Sequence, residues 1–318
     1  MHPAKSVIFF TTASGAGYGM MILLALLASL DVLPKEPVFG LATFGLALAL
    51  IVSGLLSSTM HLGRPERAWR ALSQWRSSWL SREGLAAVVA FVPFGLFAIS
   101  WSFNLVASST AVVLGVAGAA VSLVTLYCTA MIYASLRPVP AWFNGWTVAG
   151  YLVLGPMNGA VILAFLLDAF AAEQAAAITR LFALVLLMIG LGVKLAYWRR
   201  IHASTPVSTA GSATGLGHLG RVEMTGSPHD NDNYLLREMG FRIARKHADK
   251  LRRITVSFGF VIPMLAMAIG LVFPSAPWTL SLMVLGLIAC QIGVATERWL
   301  FFAEAKHAVT LYYGEQAV

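Results

Sequence analysis

Apolar residues in this chain gather into eight long runs, near 7–33, 38–60, 84–103, 108–136, 146–168, 176–198, 254–274 and 278–303. Each has about the 20 residues that a helix needs to cross the hydrocarbon core of a bilayer. The runs do not alternate apolar with polar positions, as barrel strands do. In lipid the backbone must pair within its own segment, so helix is the state they predict. The expectation is an all-α, polytopic integral membrane protein: an eight-transmembrane-helix bundle forming one domain over 1–318. Two polar interruptions are long enough to have structure of their own, at 62–82 and 199–253. The first run continues past the short apolar core of a secretory signal, with no small-residue cleavage site to close it, so it reads as a retained span.

Composition agrees. Hydrophobic residues make up 58% of the sequence and charged residues 11%, where soluble domains carry about a quarter charged. Charge placement adds direction. With the N-terminus in the cytoplasm, twenty of the 22 Lys and Arg fall on the cytoplasmic side: Lys5, five arginines from Arg64 to Arg82, Arg137, eleven residues from Lys194 to Arg253, Arg298 and Lys306. Only Lys35 and Arg180 fall on the other side. Positive residues near helix ends stay cytoplasmic, so both termini are expected inside. The net charge of +8 then reads as topogenic charge facing anionic headgroups, and no nucleic-acid module accompanies it. Cys128 and Cys290 both fall within spans. They read as small packing residues and cannot supply a four-thiolate iron–sulfur site, so any cluster belongs to a partner.

The segment from Met60 to Gly84 interleaves Trp69, Leu72, Trp75 and Trp79 with arginines. This pattern predicts a short helix lying in the headgroup layer, or equally a plain interfacial anchor. Ser81 is placed to cap helix three, with Glu83 in its first turn. In the second segment, 199–253, a Gly/Ser/Thr-rich first half predicts irregular structure. Its second half, from Asn233 to Arg253, predicts a basic amphipathic helix leading into helix seven, suited to a partner or to lipid.

Ionisable residues inside spans are costly, and several here share one depth. Helix two ends at His61 and helix three begins at Glu83. Glu297 lies about 28 Å along helix eight, at 1.5 Å per residue, and Arg298 follows it. His61, Arg64, Glu83, Glu297 and Arg298 therefore meet one level, joined by Tyr133 on helix four and by Ser14 and Tyr18 on helix one. Quinone chemistry needs donors for two carbonyl oxygens and groups that exchange protons, which His and a desolvated Glu provide. The same residues also admit a structural reading, in which an Arg–Glu pair pins helices two, three and eight.

Other patterns carry less. Gly15, Gly17 and Gly19 lie inside a span with no strand before them, which excludes a dinucleotide fingerprint and favours close helix packing. Gly155, Pro156, Asn158 and Gly159 predict an interruption of helix five, either a packed kink or a secondary-transporter site. No matching break or internal repeat supports the transporter. Only His61 and His307 lie near spans, both at one edge, so a transmembrane haem is not expected.

The opening HPAKSVIFFTTASGAGYG, then MHLGRPERAW with SREG, then PVPAWFNGW and ATERWLFF, resemble the membrane anchor subunit of dimethyl sulfoxide reductase-type molybdoenzymes over nearly the whole sequence. The resemblance implies a multi-pass subunit of the bacterial inner membrane, non-catalytic toward the primary substrate, which binds quinone (menaquinone or ubiquinone) and carries neither haem nor cluster. It implies a ferredoxin-like partner with [4Fe–4S] clusters and a catalytic partner with a molybdenum bis-pterin. The His of MHLG and the Glu before helix three, here His61 and Glu83, are the family's quinol-linked positions. In respiratory dimethyl sulfoxide reductase the catalytic subunits are taken to face the periplasm. Here the His/Glu face is arginine-rich and expected to be cytoplasmic, which resembles the membrane subunit of cytoplasmic sulfite dehydrogenase. Quinone reduction driven by sulfite oxidation is the expected activity. A dimethyl sulfoxide or polysulfide reductase anchor that oxidises quinol, or a purely structural anchor, are the alternatives.

Overall fold

The computed structural model describes residues 3–60, 63–203, 206–226 and 243–318. Among the described residues, eight helices are long and apolar enough to cross a membrane. They are α1 (Lys5–Ser29), α2 (Pro37–Thr59), α3 (Trp79–Phe103), α4 (Ser108–Ala134), α5 (Gly145–Ala169), α6 (Glu173–Ala203), α7 and α8 (Thr279–Ala303). The seventh combines Ile243–Val256, a π-helical turn at Ser257–Val261, and Ile262–Val272. An even number of spans returns both termini to one face, and the Ser57 hydroxyl donates to the Ser6 carbonyl at 3.1 Å where α1 and α2 meet there.

Three boundaries differ from the sequence expectation. Helix α3 starts at Trp79, five residues early, because Ser78 rather than Ser81 is the cap: its hydroxyl accepts the Ser81 amide at 3.4 Å. Glu83 consequently lies a full turn inside the helix. Helix α6 runs on to Ala203, which leaves Lys194 well within it. Helix α7 begins at Ile243, so the basic amphipathic stretch and the span are one continuous element over the described residues, while 227–242 lies outside them.

Burial ranks the helices. In α1 and α5, 72% and 78% of the most apolar stretch is buried, against 39% in each of the other six. Helices α1 and α5 are therefore the centre of the bundle, and the other six each present a face outward. Glycine permits that centre. Gly15 and Gly19 of α1 face Gly155 and Gly159 of α5, so that a Cβ at Gly159 would collide with the Met20 amide and the Ala16 carbonyl. With no hydrophobic drive between helices in lipid, backbone approach through small residues is what holds such a pair. The expected interruption of helix five is absent: α5 continues unbroken through Pro156, and its glycines serve packing. Gly259, in the π turn of α7, meets Gly293 of α8 in the same manner.

Between α2 and α3, the described residues form a 3-10 helix at Pro65–Gln74 with no buried residue. Trp69 and Trp75 are exposed, with the Arg70 and Arg76 guanidiniums 5.5 and 5.4 Å from their ring centroids. After α6, residues 207–210 pair with the C-terminal residues 316–318, through bonds that include Val207 N–H to the Val318 carbonyl at 2.8 Å.

Candidate functional site

Glu83 projects from the first turns of α3 into the bundle, where it is buried. Its carboxyl accepts a short hydrogen bond from the Thr129 hydroxyl of α4. That hydroxyl also stands 3.0 Å from the Thr125 carbonyl. A hydroxyl has one proton and two lone pairs. Thr129 can therefore donate to an ionised Glu83, or accept from a protonated Glu83 while donating to Thr125, so the site accommodates both states without rearrangement. Among the described residues no cation pairs with Glu83. An ionised carboxyl buried without a cation is costly, so Glu83 is suited to taking up and returning a proton rather than to bracing helices.

A second cluster lies on α8. Glu297 holds one cation on each oxygen: Lys194 Nζ of α6 at 2.5 Å and Arg298 Nε at 2.5 Å, all three residues buried. This bridge ties α6 to α8, in place of the expected pin between helices two, three and eight. Both cations lie over aromatic faces. Lys194 is 4.1 Å from the Tyr197 ring centroid and Arg298 is 4.4 Å from that of Tyr151, geometries that stabilise buried charge through the ring quadrupole. Tyr133 stacks on Tyr151 at 5.6 Å and packs edge-on to Trp142, Phe301 and Phe302, giving the floor of the site a rigid aromatic cluster.

A narrow cavity of about 20 Å³ joins the two clusters, lined among others by Ser14, Thr129, Tyr151, Asn158 and Arg298. It has room for a water, which needs roughly 10–15 Å³, and a quinone ring would require side chains to part. The lining nonetheless fits an acceptor ligand. The buried hydroxyl of Tyr151 lies beside the Arg298 guanidinium, and that of Tyr18, outside the lining, lies beside Thr125; neither makes a hydrogen bond of normal geometry. Buried hydroxyls without partners are rare, and carbonyl oxygens would satisfy them. Deeper, Asn158 and Gln291 exchange amide hydrogen bonds at 2.6 and 3.3 Å.

Of the residues singled out from sequence, Glu83, Glu297, Arg298, Tyr133, Tyr18 and Ser14 come together here. Arg64 does not: it is exposed, preceding the 3-10 helix. His61 lies outside the described residues. Sequence reading missed Lys194, counted only as topogenic charge although a lysine inside a span carried the signal. It also missed Thr129 and Tyr151, whose hydroxyls nothing in the pattern distinguishes from others.

On the arginine-rich face a cleft of about 530 Å³ opens beside Glu304, Arg252, His202 and Lys306. Arg252 donates a short hydrogen bond to Glu304 and contacts His202 and Asp249. Burial raises the Glu304 carboxyl above the usual carboxylate range, and the Arg252 guanidinium draws it partly back.

Residues 1–314 match the family described as DMSO reductase anchor subunit (DmsC). The sequence is 33% identical to the C subunit of sulfite dehydrogenase from Allochromatium vinosum, over the full length of both proteins. It is 24% identical to the C component of the anaerobic dimethyl sulfoxide reductase of Haemophilus influenzae, over 48% of this protein and 55% of that one. Among solved structures it resembles a polypeptide of the bd oxidase from Geobacillus thermodenitrificans, with TM-score 0.58 and 13% identity, covering 100% of this protein and 92% of that one. At that identity the likeness concerns the fold alone.

Proposed function

The chain belongs to the family of DMSO reductase anchor subunits, and from that premise we propose that it is the quinone-reactive membrane subunit of a molybdopterin oxidoreductase complex. A ferredoxin-like subunit with [4Fe–4S] clusters would dock on the arginine-rich face, and a molybdenum bis-pterin subunit beyond it. Resemblance to a sulfite dehydrogenase subunit along its whole length, together with the charge bias of that face, favours cytoplasmic sulfite oxidation coupled to quinone reduction in the bacterial inner membrane. The single observation that carries the quinone reading is a buried carboxyl, Glu83, with no cation paired to it among the described residues, next to a cavity lined by polar donors.

A bound quinone supplies two-electron, two-proton redox chemistry. The protein's own residues do the rest. Tyr151, Arg298, Tyr18 and Glu83, through its proton, would supply the donors that hold the ring, and His61 is assigned to the same rim on the family's pattern. Thr129 holds the Glu83 carboxyl in place in either protonation state.

The test is reduction of the iron–sulfur centres by a quinol analogue in the assembled complex. Glu83→Gln removes the exchangeable proton while keeping shape, and should lower that rate on the order of 100-fold, the lower range for a positioned acid–base group. If Glu83→Gln and His61→Ala both leave the rate and inhibitor binding unchanged, the site is elsewhere.

A further inference from the structure

We propose that an alternating series of carboxyls and tyrosines, Glu304–Tyr197–Glu297–Tyr151–Glu83, carries protons between the cleft on the arginine-rich face and the buried cavity, with Glu304 as its port. The inference rests on the quinone reading above and extends it by naming the route and the side.

The series is assembled through the cations and rings that lie between its members, along α6, α8, α5 and α3. Glu304 borders the cleft and is nearly covered by Arg252. Tyr197, buried on α6, lies within electrostatic range of both Glu304 and Glu297. Its ring carries the Lys194 ammonium, which bonds Glu297 at 2.5 Å. Trp198, next on α6, has Lys194 5.3 Å and Arg252 5.8 Å from its ring centroid, so one side chain spans the port and the interior bridge. On the far side of Glu297, Arg298 lies over Tyr151, and Tyr151 is within electrostatic range of both Glu297 and Glu83. The cavity beside Tyr151 has room for a water to complete the link to Thr129 and Glu83.

Each member can both give and receive a proton, since a phenol hydroxyl is donor and acceptor and a carboxyl is either according to its state. Arg298 and Arg252 keep their protons and act as fixed charge that holds Glu297 and Glu304 in place. The Lys194–Glu297 pair can share a proton between ammonium and carboxylate. A bridge that only pinned α6 to α8 would need neither the tyrosines nor a carboxyl at the cleft. Facing Glu304 are Arg252 and Asp249 from α7, His202 and Lys194 from α6, and Lys306 from its own segment, so its titration is set by this group of charges. The balance is simple: reducing one quinone takes two electrons from the partner's iron–sulfur centres and two protons through this series, forms two O–H bonds, and leaves the protein unchanged.

The experiment uses the whole complex in sealed vesicles with the arginine-rich face outward, a reduced viologen as electron donor, a short-chain quinone, and a pH-indicator dye in the outer solution. In the wild type, quinone reduction should draw protons from the dye-containing side. Glu304→Gln should bind a quinone-site inhibitor with unchanged affinity, read by tryptophan fluorescence, yet turn over quinone at least tenfold more slowly above neutral pH. Lowering the pH, adding a small carboxylic acid, or restoring a carboxyl with Glu304→Asp should recover the rate, which loss of a structural bridge would not allow. An unchanged rate and pH profile in Glu304→Gln overturns the route. So does proton uptake from the vesicle interior by the wild type, which decides the matter even if Glu304→Gln fails to assemble. In both cases inhibitor binding by the wild type would leave the quinone reading standing. Absence of inhibitor binding by the wild type overturns that reading, and this one with it.

Discussion

Thr129 shows how a single residue's chemistry depends on its neighbours. A threonine in a helix commonly bonds its own backbone four residues back, and Thr129 does so while also meeting Glu83. Thr129→Val keeps the shape and removes the switchable hydroxyl. Where a buried group loses its partner, the cost is about 1–3 kcal/mol, here directed at the ionised form of Glu83. The expected outcome is a displaced pH profile of quinone-linked activity, with assembly intact. An unshifted profile in a well-assembled Thr129→Val complex would show that Glu83 does not titrate in the rate-limiting step. Of the residues at this scale, the carboxylates and arginines were visible in the sequence because charge within a span is conspicuous. Hydroxyls were not, because a span of ordinary apolar helix tolerates them anywhere.

At the scale of elements, the pairing of α1 with α5 sets where everything else stands. Ser14 and Tyr18 from one helix and Tyr151 and Asn158 from the other reach the site because Gly15, Gly19, Gly155 and Gly159 let the backbones touch. Gly159→Leu places a side chain against the Met20 amide. Overpacking of this kind costs typically about 1–3 kcal/mol, and here the obstruction is backbone, which cannot rotate away. The expected result is a lower melting temperature of the purified complex and a loss of inhibitor binding that Gly192→Leu does not share, since a Cβ at Gly192 meets nothing within 4 Å. Equal effects from the two substitutions would remove the special role of the α1–α5 contact. The sequence indicated small-residue packing in helix one. It also suggested a break in helix five that does not exist, because glycine and proline mark breaks in water but are tolerated in a span where neighbouring helices support the freed backbone groups.

At the scale of the whole molecule, the distribution of charge predicts which face meets the cytoplasm. An even number of spans predicts that both termini lie on the arginine-rich face. An alkaline phosphatase fused after Val318 should be inactive, and a fluorescent protein in the same place should be bright. The reverse result would put the docking face outside and separate the partners of this subunit from cytoplasmic sulfite. The 3-10 segment between α2 and α3, with exposed tryptophans under arginines, and the basic first part of α7 belong to this face. Both are placed to meet headgroups or a docked subunit.

Length and hydropathy alone determined eight helices long and apolar enough to cross a membrane among the described residues, since a bilayer of fixed thickness demands runs of fixed length. The sequence likewise determined that its charges crowd one face, and that Glu83, Glu297 and Arg298 share a depth, because rise per residue converts position into height. Azimuth was decided by tertiary structure: which side of each helix turns inward, and against which neighbour. In a span that is apolar all round, the sequence carries little rotational signal. Backbone contact through facing glycines supplies part of it, and the packed bundle sets Glu297 against Lys194 and Glu83 against Thr129.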